Sequence, residues 1–218
     1  MNEVNEKKLW DRLDKNSKSY TVRVLNFFHY RRNRIGQSWK REEVLTWELI
    51  RALDVLPKNY FLKELLEYIV ENKKELAPVA KNLIKKLDKI CIIPYPKLNL
   101  SGNKKNSASD IELSYKNIKL WIEAKTVPIR KEELRKQILS QTEALSKINN
   151  GSNFGVIALI PETQESTTVF LYWSDMKKIF EKALYKIEHN YQNDIDLIRG
   201  YQIIAKELIN RIQSRFNK

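Results

Sequence analysis

The 218-residue chain carries 40 Lys and Arg against 27 Asp and Glu, a formal net charge of +13, which suits a polyanionic partner, either nucleic acid or an anionic membrane surface. No run approaches the roughly 18–20 apolar residues of a membrane span, the first residues carry no signal-peptide pattern, and a lone cysteine, Cys91, excludes an internal disulfide and a Cys-rich zinc site. The length suits one core with an appendage, and the expected compartment is the cytoplasm.

Residues 1–36 are charged and read as partly helical. The segment 22–28 is apolar enough to pack, and His29-Tyr30-Arg31-Arg32-Asn33-Arg34 follows it. Arg31, Arg32 and Arg34 beside aromatics suit a phosphate backbone, or equally a solvated helix end. Ser38 can cap a helix running to about Leu56, with Pro57 ending it. Its seam is Leu45, Leu49, Leu53 and Leu56, and one step backward reaches Glu42. A carboxylate on an apolar seam is costly unless neutralised, paired or metal-bound. In a first helical turn, however, it favours the dipole and stays wet.

The periodicity of Leu62, Leu65, Leu66, Ile69 and Val70 predicts a helix over 60–72. Leu83, Ile84 and Leu87 predict another over 75–89, with Pro78 in its first turn. Residues 90–94 form a short apolar strand in which Cys91 is expected to be buried. Pro96, Gly102, Asn103 and Asn106 mark 95–109 as a loop. It carries Lys104 and Lys105, which could hold a phosphate backbone.

Residues 109–115 and 118–125 both alternate apolar with polar, with Lys116-Asn117 between them, and so read as a β-hairpin. A tight turn pairs Tyr115 with Ile118 and places Asp110 opposite Glu123. Directly opposed residues have Cβ atoms roughly 4.5–5.5 Å apart. Ile111, Leu113, Ile118, Leu120, Ile122 and Ala124 then share the core face. Asp110, Glu112, Trp121, Glu123 and Lys125 share the other. Two opposed carboxylates repel, and a divalent cation with its preference for oxygen ligands would relieve them.

Residues 130–149 read as a helix closed by Asn150-Gly151. Its seam is Leu134, Ile138, Gln141, Leu145 and Ile148. Gln141 therefore sits mid-stripe, where a polar group needs a partner, in the site or on a backbone carbonyl, with Gln137 one turn earlier. Leucine would complete the apolar stripe, so Gln141→Leu is expected to raise stability while reducing activity. Lys131, Arg135, Lys136 and Lys147 lie on the outer face. Residues 153–160 are apolar enough for a strand buried on both sides, 167–173 for an edge strand, and helices are expected over 174–189 and 194–215.

Asp110 followed one strand later by Glu123-Ala124-Lys125 resembles the PD-(D/E)xK nuclease superfamily, with Ser109 in place of the usual Pro. Glu-x-Lys recurs at Glu6–Lys8 and Glu71–Lys73, but only the Glu123 copy lies in a strand pattern with an Asp partner. The resemblance spans about residues 89–175. It implies an α/β, restriction-endonuclease-like core, a mixed central sheet of four to five strands flanked by helices. On this basis 1–88 is a helical N-terminal region and 176–218 adds C-terminal helices packed on the core, one compact unit overall.

The resemblance also implies Asp110 and Glu123 as ligands of one or two magnesium ions, with manganese able to substitute and the Ala124 carbonyl a further ligand. Lys125 would orient water or stabilise the transition state. An extra glutamate from a preceding helix would be Glu42 first and Glu48 second, and Gln141 would be the polar residue from the following helix.

The function expected is a magnesium-dependent endonuclease cutting DNA, in restriction or other anti-phage defence, as a homodimer because two strands require two sites. The alternatives are a non-catalytic nucleic-acid-binding protein and a structural or partner-binding subunit. There is no Gly-rich phosphate loop, and His29 and His189 lack neighbours at metal-binding spacing.

Overall fold

The computed structural model describes residues 41–98, 107–148, 153–162, 169–190 and 195–216. Contacts divide the chain into two units, Met1–Val44 and Leu45–Lys218. Arg31, Arg32, Arg34, Lys104 and Lys105 lie outside the described residues. Glu42 belongs to helix α1 (Arg41–Val55), but its side chain also lies outside them.

In the second unit the seam of α1 is buried through Leu45, Leu49, Leu53 and Leu56. Pro57 then turns the chain, its carbonyl accepting the N–H groups of Tyr60 and Phe61. Helix α2 (Phe61–Asn72) buries Phe61, Leu62, Leu65, Leu66 and Ile69 along one stripe. Helix α3 spans only Ala77–Ile84, with Pro78 in its first turn, where its missing N–H costs nothing. The expected continuation to 89 is interrupted. The N–H of Lys86 bonds the Leu83 carbonyl, a tighter pattern that ends the α-helix, and a 3₁₀ turn follows at Leu87–Lys89.

The sheet holds five strands: β1 (Cys91–Pro94), β4 (Ile111–Tyr115), β5 (Ile118–Ala124), β6 (Phe154–Ile160) and β7 (Phe170–Tyr172), side by side in that order. The pairs β1–β4 and β4–β5 are antiparallel, and β5–β6 and β6–β7 are parallel. A parallel pair needs a long crossover, and helix α4 (Lys131–Ile148) supplies it between β5 and β6. Helices α5 (Trp173–Asn190) and α6 (Ile195–Phe216) pack on each other, and α5 also packs on α2. The fold is thus α/β with a mixed sheet flanked by helices. The segment read as a loop over 95–109 contains a two-stranded ribbon, β2 (Lys97–Leu98) and β3 (Ser107–Ala108). Two residues per strand are too few to show a period in sequence.

The hairpin alternates as expected, but the inference of one core face and one polar face is corrected. Both faces are buried. Ile111, Leu113, Leu120, Ile122 and Ala124 face one side, where α3 packs against β5. Gly155 of β6 sits there because a Cβ at that position would lie 2.5 Å from Leu76 Cδ2. On the other side Trp121, Val156, Ala158, Ile160 and Phe170 form a core with Leu134, Ile138 and Leu145 of α4. Cys91 is also corrected. It is exposed, because β1 is an edge strand in which only Ile92 turns inward. Among the described residues no helix is long and apolar enough to cross a membrane.

Candidate active site

The site forms where the open end of the β4–β5 hairpin meets α4. The two-residue turn is closed with Lys116 at φ 54°, in the left-handed region that tight hairpin turns use. Tyr115 pairs with Ile118, and the ladder runs outward to Ile111 opposite Ile122. One step further lie Asp110 and Glu123. Asp110 stands just beyond the strand. Its carbonyl accepts the Tyr95 N–H at 2.8 Å, and its Oδ2 accepts the Ala124 N–H, also at 2.8 Å. Its carboxylate thus reaches across the hairpin to the residue after Glu123. Ser109 fastens the same end, donating its hydroxyl to the Ile122 carbonyl at 3.0 Å and its N–H to the Pro96 carbonyl at 3.3 Å. A proline at 109 could make neither bond.

Glu123 is 4% exposed, and a buried carboxylate needs donors. Oε1 accepts Lys125 Nζ and Gln137 Nε2, both at 2.6 Å, and Oε2 accepts Gln141 Nε2 at 2.7 Å. Gln137 and Gln141 lie one helical turn apart, so α4 presents both amides to the same strand residue. Gln141 Nε2 also donates to the Ala108 carbonyl at 2.7 Å. The two partners considered for Gln141, a site residue and a backbone carbonyl, are therefore both engaged. Its Oε1 is buried without a hydrogen bond.

Next to this group stands a second buried carboxylate. Glu112, 3% exposed, accepts Lys119 Nζ at 2.6 Å and Trp121 Nε1 at 2.7 Å. Glu112 and Lys119 balance each other. Asp110 and Glu123 supply the kind of oxygen donors that a hard divalent cation takes, and the orphaned Gln141 oxygen suits such an ion or water bound to it. No cluster of three or more His, Cys, Asp or Glu side chains is gathered for a metal among the described residues.

The remaining candidates fall elsewhere. Glu48, the second candidate for the extra glutamate, has its carboxylate 3.1 Å from Arg51 and 3.8 Å from Arg211. His189 is exposed, its Nδ1 2.7 Å from the Tyr185 carbonyl. Sequence reasoning missed the Gln137 bond to Glu123, although the four-residue spacing from Gln141 was its signal. It also missed Trp173, whose indole Nε1 donates to the Lys125 carbonyl at 2.8 Å. No signal in the local sequence pointed to that bond. Comparison with protein-family models and with curated proteins finds no match for this chain.

Proposed function

We propose that this protein is a metal-dependent nuclease hydrolysing phosphodiester bonds in DNA, built on a restriction-endonuclease-like core of the PD-(D/E)xK kind. The observation that carries the reading is the joining of Asp110, Glu123 and Lys125 at one end of a hairpin. The Asp110 carboxylate bonds the Ala124 N–H, and the Lys125 ammonium lies on Glu123. An antiparallel hairpin followed by a crossover helix and a parallel strand supports the same core.

In this reading Asp110 and Glu123, with the Ala124 carbonyl, would hold magnesium, with manganese able to substitute. A bound ion of this type makes water more acidic and offsets charge on a phosphoryl oxygen. The chain's own residues do the rest. Gln137 and Gln141 fix the plane of the Glu123 carboxylate. Lys125 has its side chain 18% exposed, so its ammonium stands at the boundary between core and solvent. There it can stabilise charge developing on a phosphate. The net charge of +13 supplies affinity without sequence information. Arg31, Arg32, Arg34, Lys104 and Lys105 are proposed phosphate contacts, and Glu42 a further acid. The proposed setting is restriction or other anti-phage defence in the cytoplasm, with a homodimer providing one site per strand.

A second reading, a nucleic-acid-binding protein without catalysis, draws on the three N–H donors already on Glu123. These could make it a purely structural carboxylate. Incubating the protein with plasmid, single-stranded DNA and RNA, in magnesium and in chelator, separates the two. Magnesium-dependent DNA cleavage supports the nuclease. Retention of DNA by folded protein with no cleavage supports the second reading.

A further inference from the structure

We propose that Trp173 is a positioning residue for Lys125, held in place by the last turn of α6 through Phe216; what Lys125 does there rests on the nuclease reading. The regular strand β5 ends at Ala124, so Lys125 is the first residue beyond it. Its N–H still donates to the Leu159 carbonyl of β6 at 2.7 Å. Its carbonyl is fixed differently, accepting the indole Nε1–H of Trp173 at 2.8 Å. The Lys125 backbone is therefore anchored at both its N–H and its carbonyl, once by the sheet and once by a side chain 48 residues away in sequence. Beyond it the hydroxyl of Thr126 is buried and makes no hydrogen bond, so that side chain adds no polar anchor.

An indole is a donor only. A fully buried Trp173 must place that one N–H on an acceptor or lose the bond it had in water. Trp173 opens α5 directly after β7, which brings its ring to the end of β5. The other side of the ring is occupied by Phe216, with centroids 5.9 Å apart and planes 19° from parallel. Phe216 is the last residue of α6, and α6 lies along α5. The chain of contact runs from the end of α6 through Phe216 and Trp173 to the Lys125 carbonyl. The Lys125 ammonium, at the other end of that residue, lies 2.6 Å from Glu123. Tilting the Lys125 peptide would move the ammonium off Glu123, which is how a residue with no atom in the site affects its geometry.

A packing role alone is kept when the ring is kept. Two measurements separate packing from positioning. The first is hydrogen exchange at the tryptophan indoles. The chain has five tryptophans, and Trp173→Phe assigns the Trp173 signal by its loss. In the parent, Trp173 Nε1–H should be protected, and Phe216→Ala should speed its exchange about tenfold, the loss of roughly one hydrogen bond. The Trp121 indole, bonded to Glu112, should not change and reports global unfolding. An unprotected Trp173 indole, or one indifferent to Phe216→Ala, overturns the proposal. The second is steady-state cleavage by Trp173→Phe, expected to lower kcat about tenfold with KM unchanged, as for an interaction that orients a group in the transition state. Unchanged kcat, or a change in KM alone, overturns the positioning role. If the parent does not cleave, the nuclease reading fails, and indole exchange still decides whether α6 holds the Lys125 backbone.

Discussion

Gln141 and Glu123 are joined across the α4–β5 contact by a 2.7 Å hydrogen bond from the amide nitrogen to Oε2, and the same nitrogen reaches the Ala108 carbonyl at 2.7 Å. One side chain thus satisfies a buried carboxylate and the ribbon strand β3. This reverses the stability expected of Gln141→Leu. Leucine continues the apolar seam of α4 but strips a donor from two acceptors. Leaving a buried acceptor unpaired costs about 1–3 kcal/mol, more for a charged group. Gln141→Leu is therefore expected to be less stable than the parent by at least about 1 kcal/mol and to cleave more slowly. Urea denaturation checks the first and a cleavage rate the second. Stability equal to or above the parent would show that Gln141 is not needed by Glu123.

Magnesium and calcium should both raise the melting temperature, because Asp110 and Glu123 together offer the carboxylate oxygens that a hard divalent cation takes. A ligand at about 100 times its dissociation constant adds roughly 2.7 kcal/mol when it binds only the folded state. Calcium, with looser coordination, should support little cleavage. Asp110→Asn keeps an oxygen able to accept the Ala124 N–H but removes a charged ligand. Its melting temperature should respond only weakly to either ion. Thermal melts across a metal titration measure this, and a parent indifferent to millimolar metal would contradict the site.

A third buried carboxylate, Glu64, should shape the behaviour in acid. Burial alone would raise the Glu64 carboxyl pKa, but hydrogen bonds and charge from Lys182, at 2.8 Å, and Lys186 outweigh it and leave the pKa below the ordinary value. A depressed carboxyl contributes stability that is present above its unfolded value and is lost as pH falls through the folded one. Glu64→Gln should therefore lower the melting temperature near neutrality. It should also flatten the decline from about pH 5 to about pH 3 relative to the parent. Parallel curves for the two proteins would mean that Glu64 does not drive the acid transition.

The hairpin was legible because its information is local. Alternation with period two and a two-residue turn fix Tyr115 against Ile118 and every pair outward, and the observed register follows them. The same alternation hid the burial of the second face. What covers Trp121 is α4, an element later in the chain, and nothing in 109–125 announces it. Read from alternation, Glu112 is placed on the non-core face for the same reason, since its partners Lys119 and Trp121 matter only once α4 has excluded water. Cys91 lies in an apolar run, but which side an edge strand turns inward is set by its pairing with the neighbouring strand, which puts Ile92 opposite buried Leu113. The Trp173 bond to Lys125 joins residues whose separation no local pattern encodes. Glu123 and Lys125 were thus readable from spacing, whereas the donors that hold them came only from tertiary packing.

The most direct measurement is plasmid cleavage in magnesium by the parent and by Lys125→Ala at matched fraction folded. Lys125→Ala takes one donor from buried Glu123 and should lower stability, but Gln137 and Gln141 still hold that carboxylate, so the melt should stay cooperative and DNA retention nearly intact. Cleavage should fall by at least about a hundredfold, on the order of the loss seen when one transition-state-stabilising donor is removed. Lys125→Ala cutting at the parent's rate, or a folded, DNA-binding parent that does not cut at all, would contradict a catalytic site at Asp110, Glu123 and Lys125.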